Sequence, residues 1–349
     1  MANSINLSRK TLILAKTEQS YNTIATITPS ADVFSNAMVL YDETNPTQID
    51  TKLVERQVVR ASYSKNPNLK GRQLYMIQPK TVLMGSPGIY YDTTAMTYDG
   101  HTGEAPPGSG IKVSFLDCLF RACGMKATMG SASLSMVYTP RSSGFESVSI
   151  NTYADGILHK AYGCVGNVTF EGKAGEGIDV SFDFKGNVAT SGNLVYGSNP
   201  TVTYPQDRKI MAESYGMTIS DFTVGSTSPI VRSFRFDSGN QIIERADLNS
   251  SKSLYGLFIT DRQPKLDVTV EVDGNSSWNP FTNLASSSNT VAVSLTHGGS
   301  ANGERWRFSF PTLETRDVKM ADDQGVRVYN ISYDIISTTD DGDWMISQY

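Results

Sequence analysis

The chain is poor in the residues that usually carry chemistry. Three cysteines and three histidines are scattered through 349 residues. Cys118 and Cys123 stand five positions apart, which is not the C-x-x-C spacing of zinc ribbons or dithiol redox sites. Cys123 falls on an apolar stripe and reads as a packed thiol. So few cysteines make no disulfide framework and point to synthesis in a reducing cytoplasm. His159 lies near Cys164 in sequence, but a nucleophile–base pair also needs an orienting third group. His101 and His297 read as solvated turn residues, too dispersed for a metal site. The glycine pairs Gly108/Gly110 and Gly175/Gly177 lack the third glycine and the strand-to-helix context of a phosphate loop. No nucleophile elbow, Walker lysine or H-E-x-x-H is present, so neither an enzyme nor a cofactor is expected.

Charge is scarce as well. Charged residues make up 19% of the chain, below the usual ~25%. The net charge of −5 excludes a broadly basic, phosphate-gripping surface. Long apolar runs are missing too. None approaches the ~20 residues of a membrane span, and Leu12–Ala15 falls short of the ~7–15 residues of a signal core. Membrane insertion and secretion by this chain are therefore not expected. Asp340, Asp341 and Asp343 lack the full ladder of an EF-hand loop and read as a solvated acidic turn.

What the chain does have is alternation. Ile178, Val180, Phe182 and Phe184 alternate with polar residues, as do Leu266, Val268, Val270 and Val272, and then Trp306, Phe308 and Phe310. Period 2 gives each strand one dry and one wet face. Lys112–Gly124 places Leu116, Leu119, Phe120 and Cys123 on one helical stripe of about three turns, stopped by Gly124. A second helix is expected after an Asn279 cap and Pro280, with Phe281, Leu284 and Ala285 buried. The closing strands of two similar runs begin at Gly177 and Gly325, 148 residues apart, so one β-rich unit is read twice in tandem.

The length suits two domains with independent cores. The expected division is an arm plus first strand region over 1–35, a first domain over 36–198, a linker over 199–206 and a second domain over 207–349. The arm is expected to order only on contact with a neighbour. Gly85–Gly110 has no periodicity and is too long for an ordinary connection. Its aromatic and polar residues, Tyr90, Tyr91, Tyr98, Asp99, His101 and Glu104, make it a candidate contact loop.

The series Arg121–Gly124 (RACG), Val137–Ser147 (VYTPRSSGFES), Asp155–Lys160 (DGILHK) and the strand GIDVSFDF resembles the phage tail tube protein family of long-tailed bacteriophages. The likeness covers most of residues 10–349, is strongest across 115–188, and departs in the Gly85–Gly110 loop. It implies a mainly β fold, with two tandem tail-tube-like barrel or sandwich domains that each carry one packed helix. It also implies stacked homo-oligomeric rings forming a hollow tail tube, through which DNA passes without specific binding. Tape measure, tail terminator and tail tip proteins would be partners. The chain would reside in the virion tail, and in the host cytoplasm during assembly.

Two such units per chain fit a trimeric, pseudo-hexameric ring. A hexamer with the second domain outside is the alternative, and a β-sandwich module for carbohydrate or cell-surface binding is an alternative of another class. In a tube, Asp179, Asp183, Asp267 and Glu271 are the candidate lumen-facing acids. Tyr90, Tyr91, Tyr98 and Trp278 would serve the carbohydrate reading by stacking on sugars.

Overall fold

The computed structural model describes residues 11–27, 37–38, 47–55, 59, 64–83, 97–98, 101–102, 114, 116–130, 135–154, 157–189, 195–196, 219–224, 227–250, 253–271, 279–285, 290–298 and 305–348. The described chain is mainly strand. In the first half, β1 (Thr11–Thr17), β2 (Ala37–Met38), β3 (Thr47–Val54), β4 (Leu69–Ile77) and β5 (Lys80–Val82) precede the small pair β6 (Thr97–Tyr98) and β7 (His101–Thr102). Helix α1 (Asp117–Ala122) follows, then β8 (Met125–Gly130), β9 (Ser135–Pro140), β10 (Val148–Ala154), β11 (Ile157–Lys173), β12 (Ile178–Val188) and β13 (Val195–Tyr196). The second half holds β14 (Ile219–Val224), β15 (Val231–Asp237), β16 (Asn240–Ala246), β17 (Leu254–Arg262) and β18 (Lys265–Glu271). After helix α2 (Pro280–Leu284) come β19 (Val291–Gly298), β20 (Arg305–Asp323), β21 (Val326–Ile335) and β22 (Met345–Gln348).

The pairing order repeats. In the first half, antiparallel neighbours run β1–β10–β11–β12–β4–β3. In the second they run β14–β19–β20–β21–β18–β15. Each half is built on one very long hairpin, β11–β12 or β20–β21. The second turns at Gln324 and Gly325, both at positive φ, the left-handed pair that a tight right-twisted hairpin requires. The halves meet where β15 adds to the free side of β11, with Phe170 opposite Phe236 and Glu171 opposite Arg235.

The apolar sides of these strands form one continuous core, not the two separate ones expected from length. The seam itself is the reason: the strands on either side of it point their aromatics the same way. Phe120 of α1 lies 5.2 Å from Tyr138, 5.7 Å from Phe170 and 5.9 Å from Phe182 in the first half, and 6.1 Å from Trp306 in the second. Phe170 touches Phe236 and Phe308 across the seam at 5.8 and 5.1 Å.

Three local expectations change. Helix α1 is six residues long, less than the three turns read from the stripe. Its Leu116, Leu119 and Phe120 are all buried, and Gly124 ends it at φ 75° as expected. Thr11–Thr17 is not an arm awaiting a partner: β1 sits between β10 and β2 with Leu12–Ala15 buried. The buried Glu18 carboxylate pins its end, accepting from Ser147 Oγ at 2.6 Å, Ser149 Oγ at 2.7 Å and the Gly163 amide at 2.7 Å. Helix α2 is capped as expected, the Phe281 amide donating to Asn279 Oδ1 at 3.0 Å. Its Phe281 and Leu284, however, are exposed rather than buried. Phe281 meets Tyr329 edge-on at 5.6 Å.

Candidate assembly surfaces

The wet face of the central sheet is continuous across the seam. Cross-strand register places Asp179, Glu171, Arg235, Asp267 and Ser332 in one row. A neighbouring row holds Ser181, Thr169, Asp237, Lys265 and Asp334. The four acids singled out from alternation, Asp179, Asp183, Asp267 and Glu271, thus share one face, although they come from strands about ninety residues apart in sequence.

They are not a bare acidic patch. Asp179 pairs with Lys80 Nζ at 2.9 Å and Glu271 with Arg232 Nη2 at 2.7 Å. Asp267 accepts from Ser332 Oγ at 2.6 Å and Asp183 from Gln78 Nε2 at 3.3 Å. Glu171 faces Arg235 at 3.7 Å, Asp317 meets Lys319 at 2.6 Å and Asp334 meets Arg316 at 3.5 Å. Sequence reasoning missed Asp317 and Asp334 as members of this face. A bulge between Thr315 and Asp317 breaks the period in β20, so simple alternation could not reveal Asp317.

The contact-loop candidates Tyr90, Tyr91, Asp99 and Glu104 lie outside the described residues, as do Trp278 and the 199–206 linker. Of that loop, Tyr98 and His101 are described as opposite backbone partners in the β6–β7 pair.

No catalytic pair is assembled from the thiol and imidazole candidates. Burial pushes the Cys164 thiol well up and the His159 imidazole down, directions that keep both neutral. Cys118, Cys123 and Cys164 are all buried, and none is in a disulfide. His297 is no solvated turn residue: it lies in β19 opposite Trp306, buried, with its pKa lowered by that burial. Among the described residues no group of His, Cys, Asp and Glu could hold a metal ion, and no helix is long and apolar enough to cross a membrane.

The carboxyl-terminal acids are not a simple solvated turn either. Asp341 Oδ1 and Asp343 Oδ2 grip the Arg262 guanidinium at 2.9 and 2.7 Å, and the Ser142 hydroxyl donates to Asp341 at 2.6 Å. Partial burial would raise the Asp341 carboxyl, but the bonds from Ser142 and Arg262 outweigh it and hold the group below its usual range.

Strand edges complete the picture. In β11, the carboxyl-terminal stretch is paired on both sides, by β12 and by β15. The corresponding stretch of β20, Glu314–Asp323, is paired by β21 alone among the described residues. The chain is thus a mainly β protein with a continuous polar sheet face and an internally repeated strand order. The profile of the family described as phage tail tube protein matches residues 77–332, and the chain belongs to that family. No curated protein matches the chain.

Proposed function

We propose that this chain polymerises as stacked rings into the hollow tail tube that conducts phage DNA, with three chains supplying six sheet units per ring. The observation that carries this reading is the β11–β15 seam, where one half adds its sheet to the other while, among the described residues, the equivalent stretch of β20 is paired by β21 alone. A heterologous contact of that kind closes into a ring when its rotation permits. The shared core favours three chains over six with the second half displayed outside, because Trp306 and Phe308 pack into the same cluster as Phe120 and Phe170.

The ring divides into tandem units over 36–198 and 207–349, and the wet face carrying Asp179, Asp183, Asp267 and Glu271 lines the bore. Most of its charges are locally paired, which suits passage of a duplex carrying one charge per ~1.7 Å. Clustered Lys and Arg would retain the duplex, and a wall of interspersed ion pairs gives it nothing to grip. Tape measure, terminator and tip proteins bound the tube, and the chain resides in the virion tail after assembly in the host cytoplasm.

Negative-stain electron microscopy of concentrated protein tests the reading. Tubes with a bore and a regular axial repeat support it, and compact particles under every assembly condition defeat it. The Gly85–Gly110 loop supplies the ring-to-ring contact. Deleting Gly88–Ser109 is expected to leave a folded chain that no longer polymerises, read by sedimentation and circular dichroism.

A further inference from the structure

The contact between the two halves has a second component besides the β11–β15 seam. Hairpin β16–β17 of the second half folds over the first half. Its Asn240 Nδ2 donates to the carbonyl of Cys123, the C-cap of α1, at 2.7 Å and to that of Gly166 at 3.0 Å. Ile259 lies against Gly124. Leu254, Leu257 and Ile259 form a cluster with Leu74 and Val165, against which Ile242, Tyr21 and Phe145 pack. Under this cover every residue of α1 is buried.

The first half has the matching hairpin. By pairing order β3–β4 stands to β12 as β15–β18 stands to β21, and the outer part of β3–β4, beyond the residues paired to β12, corresponds to β16–β17, which continues β15–β18 in sequence. One side of β3–β4 meets β16–β17, where Leu74 joins the Leu254–Leu257–Ile259 cluster and Arg72 pairs with Glu244, but Ile49, Leu53, Val54 and Leu69 stay 40%, 55%, 46% and 52% exposed. The second half has the matching receiver, with apolar side chains also exposed. Helix α2 leaves Phe281 and Leu284 38% and 41% exposed, and Met320 on the open stretch of β20 is 62% exposed. An exposed apolar hairpin side and an exposed apolar helix face, at corresponding places of two repeated units, describe one contact continued between copies.

We propose that the β3–β4 hairpin of one chain docks over α2 and the open edge of β20 in a second copy of the same chain, repeating between molecules the contact that β16–β17 makes over α1 within one. This rests on the ring reading, and it assigns the surfaces that close the ring. In the repeat, Ala285, the C-cap of α2, takes the place of Cys123, the C-cap of α1. Leu53 and Phe281 sit on opposite sides of the contact.

The test uses full-length chains carrying Leu53→Asp or Phe281→Asp, with near-ultraviolet circular dichroism confirming that each is folded. Burying a carboxylate in place of one of these side chains is expected to raise the concentration needed for assembly about tenfold or more. Each variant alone should sediment as a monomer. An equimolar mixture should give dimers and nothing larger, since only the intact hairpin of the Phe281→Asp chain and the intact α2 of the Leu53→Asp chain can meet. A chain carrying Leu53→Cys with Phe281→Cys should cross-link into rings under mild oxidation.

If the wild type forms tubes and both variants do so equally well, the contact is wrong and the tube reading stands. Variants that stop assembly but stay monomeric when mixed overturn the head-to-tail pairing. A wild type that remains monomeric throughout overturns the contact together with the reading beneath it.

Discussion

Phe120 shows how much one side chain can integrate. It is fully buried, and its ring meets aromatics from both halves of the chain. Phe120→Ala is expected to lower stability by about 3–5 kcal/mol, measured by urea denaturation, with loss of signal from both halves in one transition. The sequence placed Phe120 on the buried stripe of a helix, but not its contact with Trp306, because nothing in local periodicity tells which distant strand a helix will face.

His297 makes a pH prediction. Burial lowers its pKa, so the folded state holds the neutral imidazole while the unfolded chain still titrates near pH ~6.5. Between the two values the unfolded state binds more protons, so stability rises with pH there and is lost as pH falls below ~6.5. His159 is shifted in the same direction. The urea midpoint is expected to drop between about pH 7 and about pH 5, and the drop should be smaller in His297→Gln.

At the scale of elements, strands were far more legible than helices. Alternation over Ile178–Phe184, Leu266–Val270 and Trp306–Phe310 identified the buried face correctly, because a half-buried strand must alternate wherever its register is regular. The same rule went silent in β20 past its bulge. Helices misled in opposite ways: α1 proved shorter than its stripe, and α2 displays the apolar face that an isolated chain should hide. An apolar stripe reports that a surface will be covered and leaves open which molecule covers it.

The Arg262 clamp ties β17 to the carboxyl-terminal turn and, through Ser142, to the turn after β9. Arg262→Gln is expected to cost about 1–2 kcal/mol, the partners being partly exposed, as measured by thermal or urea unfolding. Since the Asp341 carboxyl is held below its ordinary value, its contribution is present above the unfolded pKa near ~3.9 and is lost as pH falls through the lower folded value. The variant's stability should therefore decline less steeply in that acid range.

At the scale of the molecule, the tandem organisation could be read from the spacing of Gly177 and Gly325 because both mark turns of the long hairpins. The fusion of the two cores could not, since it depends on Phe170 meeting Phe236 across a pairing between strands some sixty residues apart. It follows that the halves are not independent folding units. Residues 1–198 and 207–349 made as separate polypeptides are each expected to lack cooperative unfolding and near-ultraviolet dichroism, and to recover both when co-expressed. A sharp transition in either fragment alone would contradict a shared interior.

In the proposed ring, the seam between β11 and β15 also bears on how quickly assembly can start. Every joint made inside a polypeptide is formed at folding, at high effective concentration, and needs no collision between separate molecules. Only the remaining joints must wait for diffusion and give up translational freedom. A subunit that arrives already carrying one joint therefore halves the number of bodies that must gather, and nucleation becomes a far less steep function of protein concentration.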